Sequence, residues 1–310
     1  MKVAVIFGGI SSEREISVLS GLAATEALGR KYIVKPIHYN GKPNSLLHNL
    51  YDVDIVFNAL HGGDGENGNI QSFFEIHNIS YVGSNSEASK IAMDKDITKS
   101  IAYANSISTP NWISLIADDY NDKSKVLYKS KEKLSFPLVV KPANEGSTVG
   151  ISKILTEADL DASIELAAKY SKKILIEEYV DGREISVSIL GNKALPIVEI
   201  IADKNFYDYN AKYNSSSTKY QIPASLDYDI ANKISKDAMN LYKLIGCENY
   251  ARVDYRLDLN GNHQMLEINT LPGLTPTSIF PKAAKAAGLD YSQVLNTLIE
   301  LGTYKYAKNI

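Results

Sequence analysis

The sequence predicts an α/β (α+β) protein with an N-terminal parallel-sheet domain. Lys2–Phe7 (KVAVIF) is a continuous apolar run that ends at a glycine pair and passes into a helical pattern, as a strand buried on both faces of a parallel sheet does. Asp54–Leu60 (DIVFNAL) repeats the arrangement ahead of a glycine-rich turn and another helical stretch. Toward the C-terminus the pattern changes to alternating runs around Asn260-Gly261, the mark of an antiparallel hairpin with two unlike faces.

The 310 residues are enough for two or three domains with a sizeable core. Hydrophobic content of 45%, charged content of 22% and a formal net charge of −3 describe an ordinary soluble chain. They give no reason to expect a nucleic-acid or membrane surface. The 20 tyrosines read as compositional bias. One cysteine, Cys247, excludes an internal disulfide and fits a reducing compartment. It follows Gly246 at a predicted helix end and reads as a small packing residue. Met1 leads straight into a strand pattern, and no apolar run is long enough to span a bilayer. A cytoplasmic location is the expectation.

Gly8-Gly9 turns the first strand toward a helix, and Ser12 with Glu15 matches a capping box. Such a junction presents backbone N–H groups to an anion; it is also what a plain βα turn looks like. Two glycines fall short of a dinucleotide fingerprint, so NAD is not expected. Glu13 and Arg14 fall in the first turn, where the helix dipole already favours an acid. After the second strand comes HGGDGENG (61–68), with four glycines in eight residues. That density fits close backbone approach or a mobile loop. His61 sits at the strand's C-terminal end, where open α/β sheets bind ligands. No other histidine or cysteine stands at zinc-ligand spacing. Ile70–His77 reads as a helix, Tyr81–Gly83 as a short third strand, and Ser86–Ala104 as a helix carrying Met93-Asp94-Lys95. The first domain is expected to end near Ser84.

A second unit begins with Phe136–Lys141 (FPLVVK), a strand ending in lysine. The small flexible loop Ala143–Gly150 (ANEGSTVG) and the strand Ile151–Ile154 follow. A glycine-rich loop between strands can fold over phosphates through its amides, and Lys141 at the strand end strengthens that reading. It lacks the Walker A pattern. A helix is predicted from Glu157 to about Tyr170, then strands over Ile174–Tyr179 and Arg183–Leu190. Glu177, Glu178 and Glu184 either bind ribose hydroxyls or are exposed strand-end charges. Phe206–Tyr220 is polar, tyrosine-rich and without period. It is either a functional lid, with Lys212 and Tyr213 as working groups, or a tyrosine-studded edge. Tyr228–Ile245 is an amphipathic helix closed by Gly246. Thr270–Ser278 is a loop held by Pro272 and Pro276, and 282–287 and 291–301 read as closing helices.

The most informative stretch is Ala251–Gly273 (ARVDYRLDLNGNHQMLEINTLPG). With Asn260-Gly261 as the turn centre, Asp254 stands opposite Glu267 and Arg252 opposite Asn269, all on one face. Val253, Tyr255, Leu257, Leu266 and Ile268 take the other face, expected to be buried. Two carboxylates facing each other at about 5 Å, at an effective dielectric of about 20, repel by roughly 3 kcal/mol. A bound cation reverses that sign. The oxygen donors Asp254, Glu267 and Asn269 suit Mg²⁺ rather than a soft metal. The competing reading is a solvated face neutralised by Arg252 and Arg256.

Taken in series, GGISSEREIS, ALHGGDGENG, MDK, VVKPANEGSTVG, ILIEEYVDGREISV, FYDYNAKY, ARVDY, LEINTLPG and LTPTS resemble the ATP-grasp superfamily, and within it the D-alanine–D-alanine ligase family. The resemblance runs along nearly the whole chain. It implies a three-domain ATP-grasp architecture: an N-terminal domain (1–84), a central domain (85–179) and a C-terminal domain (180–310) with a lid loop (205–222). It further implies an ATP-dependent ligase that makes D-alanyl-D-alanine for peptidoglycan precursors through an acyl phosphate. Its substrates would be D-alanine and ATP, with two Mg²⁺ (or Mn²⁺) ions, and a homodimer is expected. Lys95 and Lys141 would approach the phosphates, under the loop containing Ser147 and Thr148. Glu177 and the segment Glu178, Tyr179 and Val180 would meet adenine, and Glu184 the ribose. Asp254, Glu267 and Asn269 would hold metal. Arg252 and the N–H of Gly273 would face the oxyanion. Glu13 would bind the first ammonium group, with His61 near it. Ser278 and Lys212 would bind the second carboxylate or the intermediate, and Lys212 also borders the nucleotide. Ser147, Tyr213 and Glu13 match a hydrogen-bonded trio. Thr148 stands where a second serine is common, and Tyr179 where tryptophan can occur. Three other functions compete: a ligase with another acceptor such as D-lactate, a non-catalytic nucleotide-binding module, and an NAD-dependent dehydrogenase. Tyr213 with Ser278, the complete donor set and the missing fingerprint argue against them in turn.

Overall fold

The computed structural model describes residues 1–116, 132–146, 148–201 and 218–307. Three sheets organise it. The N-terminal sheet is parallel, in the order β2-β1-β3, from Lys2–Gly8 (β1), Ile33–Tyr39 (β2) and Ile55–Asn58 (β3). Val3, Ala4, Val5 and Ile6 are fully buried, so the apolar run does lie between two covered faces. Tyr81 contributes only an isolated parallel bridge to Val56. The expected third strand is thus reduced to one residue, because Gly83 and Ser84 turn away to meet Asn249 and Glu248.

A four-stranded antiparallel sheet, β4-β7-β5-β6, is built from Trp112–Ile116 (β4), Leu138–Pro142 (β5), Ser152–Ile154 (β6) and Lys173–Glu178 (β7). A larger antiparallel sheet runs β11-β10-β8-β12-β13, with β9 paired to β8. Its strands are Arg183–Leu190 (β8), Lys193–Ala194 (β9), Val198–Ile201 (β10), Lys219–Gln221 (β11), Tyr250–Leu257 (β12) and His263–Asn269 (β13). One face of it packs on the helix Tyr228–Ile245 and on Ala88, Ala92 and Ala102 of the preceding helices. The opposite side joins Val3, Val5 and Phe57 of the N-terminal sheet in one core with Phe280, Leu295 and Leu298.

Several local expectations need correcting. The stretch Ser86–Ala104 is two helices, Ser86–Met93 and Lys95–Ala104. Asp94, extended at φ −85° and ψ 99°, separates them and caps the second by accepting from the N–H groups of Asp96 and Ile97. Ser12 does not cap the first long helix: that helix is Arg14–Leu28, Glu13 occupies the cap position, and no side chain bonds there. The hairpin register holds where it matters and slips beyond. Arg252 pairs with Asn269, Val253 with Ile268 and Asp254 with Glu267, but Tyr255 pairs with Met265 and Leu257 with His263. Beyond Asp254 the register shifts by one residue, which centres the turn on Asn260. Gly261 takes φ +81° and its N–H bonds the Asp258 carbonyl at 3.1 Å, the left-handed closing position of a three-residue connection. A β-bulge at Leu266 absorbs the extra residue. Leu266 is therefore only half-buried, and Met265 and His263 are buried in its stead.

Candidate active site

A cavity of about 480 Å³ opens between the sheets. Its wall includes Glu13, His61, Lys95, Glu184, Arg252, Asp254, Glu267, Asn269, Gly273 and Ser278; among the described residues, Lys141 and Glu177–Val180 do not line it. Sheet alternation explains the largest contribution: Arg252 and Asp254 of β12 and Glu267 and Asn269 of β13 share one pleat face.

The two facing carboxylates are each held by a cation of the chain. Asp254 accepts from Arg252 Nε at 2.9 and 3.0 Å and from Nη2 at 2.7 Å, and from Ser186 Oγ at 2.7 Å. Glu267 pairs with Lys95 Nζ at 3.1 Å, and the same ammonium donates to the Glu145 carbonyl at 2.6 Å. Asn269 Oδ1 accepts from the Leu271 N–H at 2.8 Å, which leaves the oxygen a second lone pair. Among the described residues, no group of three or more His, Cys, Asp or Glu stands ready to hold a metal. The candidate set is two carboxylates and one amide oxygen, a hard-donor set that fits Mg²⁺ sharing its coordination with phosphate.

At the N-terminal end of the cavity, Glu13 is buried. Gly62, at φ +64°, lies so near that a Cβ there would stand 2.7 Å from Glu13 Oε2. The glycine-rich turn thus serves close approach. His61, also buried, lies 3.0 Å from Ser20 Oγ through Nε2 and 3.6 Å from Glu66 Oε1 through Nδ1. At the other end, Ser278 occupies the N-cap position of the helix Ile279–Ala286 without a capping side-chain bond; its Oγ lies 2.6 Å from Thr275 Oγ1 and 3.0 Å from where a Gly273 Cβ would sit. The N-terminus of that helix adjoins the Gly273 loop on the cavity wall.

Of the residues expected at the nucleotide, Lys141, Glu177 and Glu178 belong to the four-stranded sheet and Glu184 to β8 of the larger one. Lys141 and Glu177 meet diagonally across β5 and β7, where Val139 stands opposite Glu177; Nζ lies 2.5 Å from Oε1, and both are buried. The strand-end-charge reading therefore fails for Glu177. Burial alone would raise its pKa, but the ammonium groups of Lys141 and Lys99 hold it below the usual carboxylate range. Glu178 accepts from Asn111 Nδ2 at 2.9 Å and from the Ser135 N–H at 3.1 Å. The Tyr179 ring has Lys153 Nζ at 3.4 Å and the Arg256 guanidinium at 5.5 Å from its centroid, cation–π distances. Arg256 Nε donates to the Val180 carbonyl at 3.1 Å, and Nη1 lies 3.7 Å from Glu184. Thr148 takes φ +65° in the glycine-rich loop. Ser147, Lys212 and Tyr213 fall outside the described residues.

Two acids that line the cavity, Glu66 and Glu145, carry no sequence signal of their own. Burial raises the Glu145 carboxyl, Lys95 opposes, and Glu13 and Glu66 add to the rise.

Comparisons with known proteins agree along the chain. A family model described as D-ala D-ala ligase N-terminus matches residues 40–84, and one described as D-ala D-ala ligase C-terminus matches residues 101–300. A D-alanine–D-alanine ligase of Carboxydothermus hydrogenoformans is 38% identical over 307 residues, covering 97% of this chain and 98% of its own. The crystal structure of the Bacillus anthracis D-alanine–D-alanine ligase complexed with ATP superposes with a TM-score of 0.85 at 35% identity, over 100% of this chain and 99% of that one. The VanG D-Ala:D-Ser ligase of Enterococcus faecalis gives 0.84 at 30% identity, over 97% of this chain and 99% of its own.

Proposed function

The chain belongs to the D-alanine–D-alanine ligase family, and from that premise we propose how its own side chains carry the reaction. It is an ATP-dependent ligase that joins two D-alanine molecules for peptidoglycan precursor synthesis. The carboxylate of the first D-alanine attacks the γ-phosphorus of ATP, forming an acyl phosphate and releasing ADP. The amine of the second attacks the acyl carbon, loses a proton, and inorganic phosphate departs as the peptide bond forms.

Glu13, seated against Gly62, takes the first ammonium group, with His61 beside it. Lys95 and Lys141 approach the phosphates under the loop containing Ser147 and Thr148. Glu177, Glu178, Tyr179 and Val180 border adenine, and Glu184 the ribose. Arg252 and the N–H of Gly273 donate to the oxygen that gains charge in the tetrahedral intermediate, where a preorganised donor counts most. Ser278, at its helix N-terminus, receives the second carboxylate. Lys212 joins it there and at the nucleotide, and Tyr213 completes the trio with Ser147 and Glu13; these three roles rest on the resemblance. Asp254, Glu267 and Asn269 would hold Mg²⁺, which neutralises charge on the phosphoryl oxygens when bound.

The observation that carries this reading is that one cavity gathers Glu13, Lys95, Arg252, Asp254, Glu267, Gly273 and Ser278. The domain division 1–84, 85–179 and 180–310, a homodimer, and action in the cytoplasm, where ATP is supplied, belong to the same proposal. No helix among the described residues is long and apolar enough to cross a membrane.

The test is phosphate release from Mg²⁺-ATP with D-alanine alone, L-alanine alone, and D-alanine plus D-lactate or D-serine, each product identified by mass. D-alanyl-D-alanine from D-alanine alone is expected. A mixed product in preference to it would move the acceptor assignment, and turnover of L-alanine would overturn the chirality.

A further inference from the structure

Lys99 is fully buried, and neither the sequence motifs nor the reaction above gives it a task. It lies one turn beyond Lys95 on the helix Lys95–Ala104 and points away from the cavity wall into the seam with the central sheet. Its Nζ stands 2.9 Å from Glu177 Oε2, donates to Thr109 Oγ1 at 2.7 Å, and lies 5.1 Å from the centre of the Trp112 ring. Glu177 is therefore shared: Lys99 on Oε2, Lys141 on Oε1. A lysine needs one carboxylate, yet two lysines are buried around one. Burying the second ammonium carries a desolvation cost that its contacts with Glu177 and Thr109 have to offset.

We propose that Lys99 is a positioning residue that keeps Glu177 neutralised so that Lys141 can leave it for the phosphates of ATP. If Lys141 were the sole partner of Glu177, its departure would strand a buried carboxylate, and that cost would be subtracted from ATP binding. With Lys99 fixed on the other oxygen by Thr109 and Trp112, the carboxylate stays paired whichever way Lys141 swings. The inference rests on the phosphate role proposed for Lys141.

The groups facing Lys99 are Glu177 of β7, Lys141 of β5 and Asp96 of its own helix, the last paired with Lys173. Burial lowers the Lys99 ammonium to about 8; Glu177 opposes the shift and Lys141 adds to it. Lys99 consequently loses its proton as pH rises through that value, and Glu177 then retains Lys141. Binding of Mg²⁺-ATP in the absence of D-alanine should weaken above about pH 8.

The experiment compares the wild type with Lys99→Met, Lys99→Arg and Lys141→Met, measuring binding of Mg²⁺-ATP and of adenosine from pH 7 to pH 9. Lys99→Met is expected to weaken ATP at least about tenfold, the scale of one charge-assisted contact. Adenosine, which has no phosphate for Lys141 to reach, should lose markedly less, since only its contact with Glu177 is open to the change. Lys99→Arg, charged throughout the range, should keep the affinity for ATP and lose its alkaline decline. Equal weakening of ATP and adenosine would show a merely structural role and overturn the proposal. So would an unchanged ATP affinity in Lys99→Met, or a wild-type affinity that stays flat to pH 9. If Lys99→Met does not fold, the Lys99→Arg profile decides alone. If Lys141→Met also leaves ATP affinity intact, the phosphate assignment itself fails; if Lys141→Met weakens ATP and Lys99→Met does not, only the positioning role fails.

Discussion

Asp254 and Glu267 stand directly opposite each other on β12 and β13, and each carboxylate is held by a different cation of the chain, Arg252 for the first and Lys95 for the second. The repulsion that two facing acids would suffer is thereby screened inside the ligand-free protein. The competing sequence reading is thus half right: Arg252 does neutralise Asp254, while the partner of Glu267 is Lys95 rather than Arg256. Lys95 and Arg252 are also the groups proposed to meet the phosphate and the oxyanion, so the same cations serve the resting and working states.

Glu267→Gln should separate stability from activity. The glutamate is 26% exposed on its side chain, while its partner Lys95 is buried and keeps its bond to the Glu145 carbonyl. Removing the Glu267 charge also relieves repulsion with Asp254. Urea unfolding without nucleotide should therefore differ from the wild type by no more than about 1 kcal/mol. Mg²⁺-ATP turnover should fall by more than the roughly 10–100-fold that loss of an outer-shell metal contact costs. A clearly destabilised apoprotein with normal turnover would contradict the metal role of this carboxylate.

Gly62→Ala probes the other end of the cavity. Its positive φ strains any side chain, and the new methyl would meet Glu13 Oε2 at 2.7 Å. A stability loss of about 1–2 kcal/mol is expected, together with a raised KM for D-alanine and little change in ATP binding. Thermal unfolding and steady-state kinetics with each substrate varied in turn check both halves. A KM for D-alanine that stays put would remove Glu13 from the ammonium site.

Arg252→Met removes the guanidinium that clasps Asp254 and is proposed to face the oxyanion. Loss of one such donor costs about 10²–10³ in kcat. KM for ATP should move far less, because the phosphates have Lys95 and Lys141. A variant in which KM for ATP carries the whole effect would assign Arg252 to the nucleotide instead.

How far the sequence reaches depends on the range of the contact. Facing Asp254 with Glu267 needs only a period of two and one turn, and the structure repeats it. The slip at Leu266 escapes because Asn-Gly suits two connections that differ by one residue, and only the bulge decides between them. Gly62 is legible as close approach without a partner; the partner, Glu13, lies 49 positions earlier. Lys99 is barely legible. In MDKDITKS it reads as an exposed helix lysine, and its burial depends on β4, β5 and β7 closing over it. Its one faint signal is the four-residue spacing from Lys95, which places both ammonium groups on one side of the helix. Glu66 and Glu145 sit in loops whose paths no pattern predicts.

Glu177→Gln tests the buried charge network by its pH dependence. The carboxylate is held below its usual range by Lys141 and Lys99 against the effect of burial. A group with a depressed folded value stabilises the protein above its unfolded value, and that contribution is lost as pH falls through the folded one. Near neutral pH the substitution strands two buried ammonium groups and should cost about 3–5 kcal/mol. The gap should begin to narrow only below the ordinary carboxyl value of 4.5, and the two proteins should converge as pH falls through the lower value that Glu177 has in the folded protein. Urea midpoints at pH 7 and in steps below pH 5 would show the gap closing. A gap that persists unchanged into acid would mean that the introduced amide disturbs packing rather than charge, and the pairing of Glu177 with both lysines would lose its energetic support.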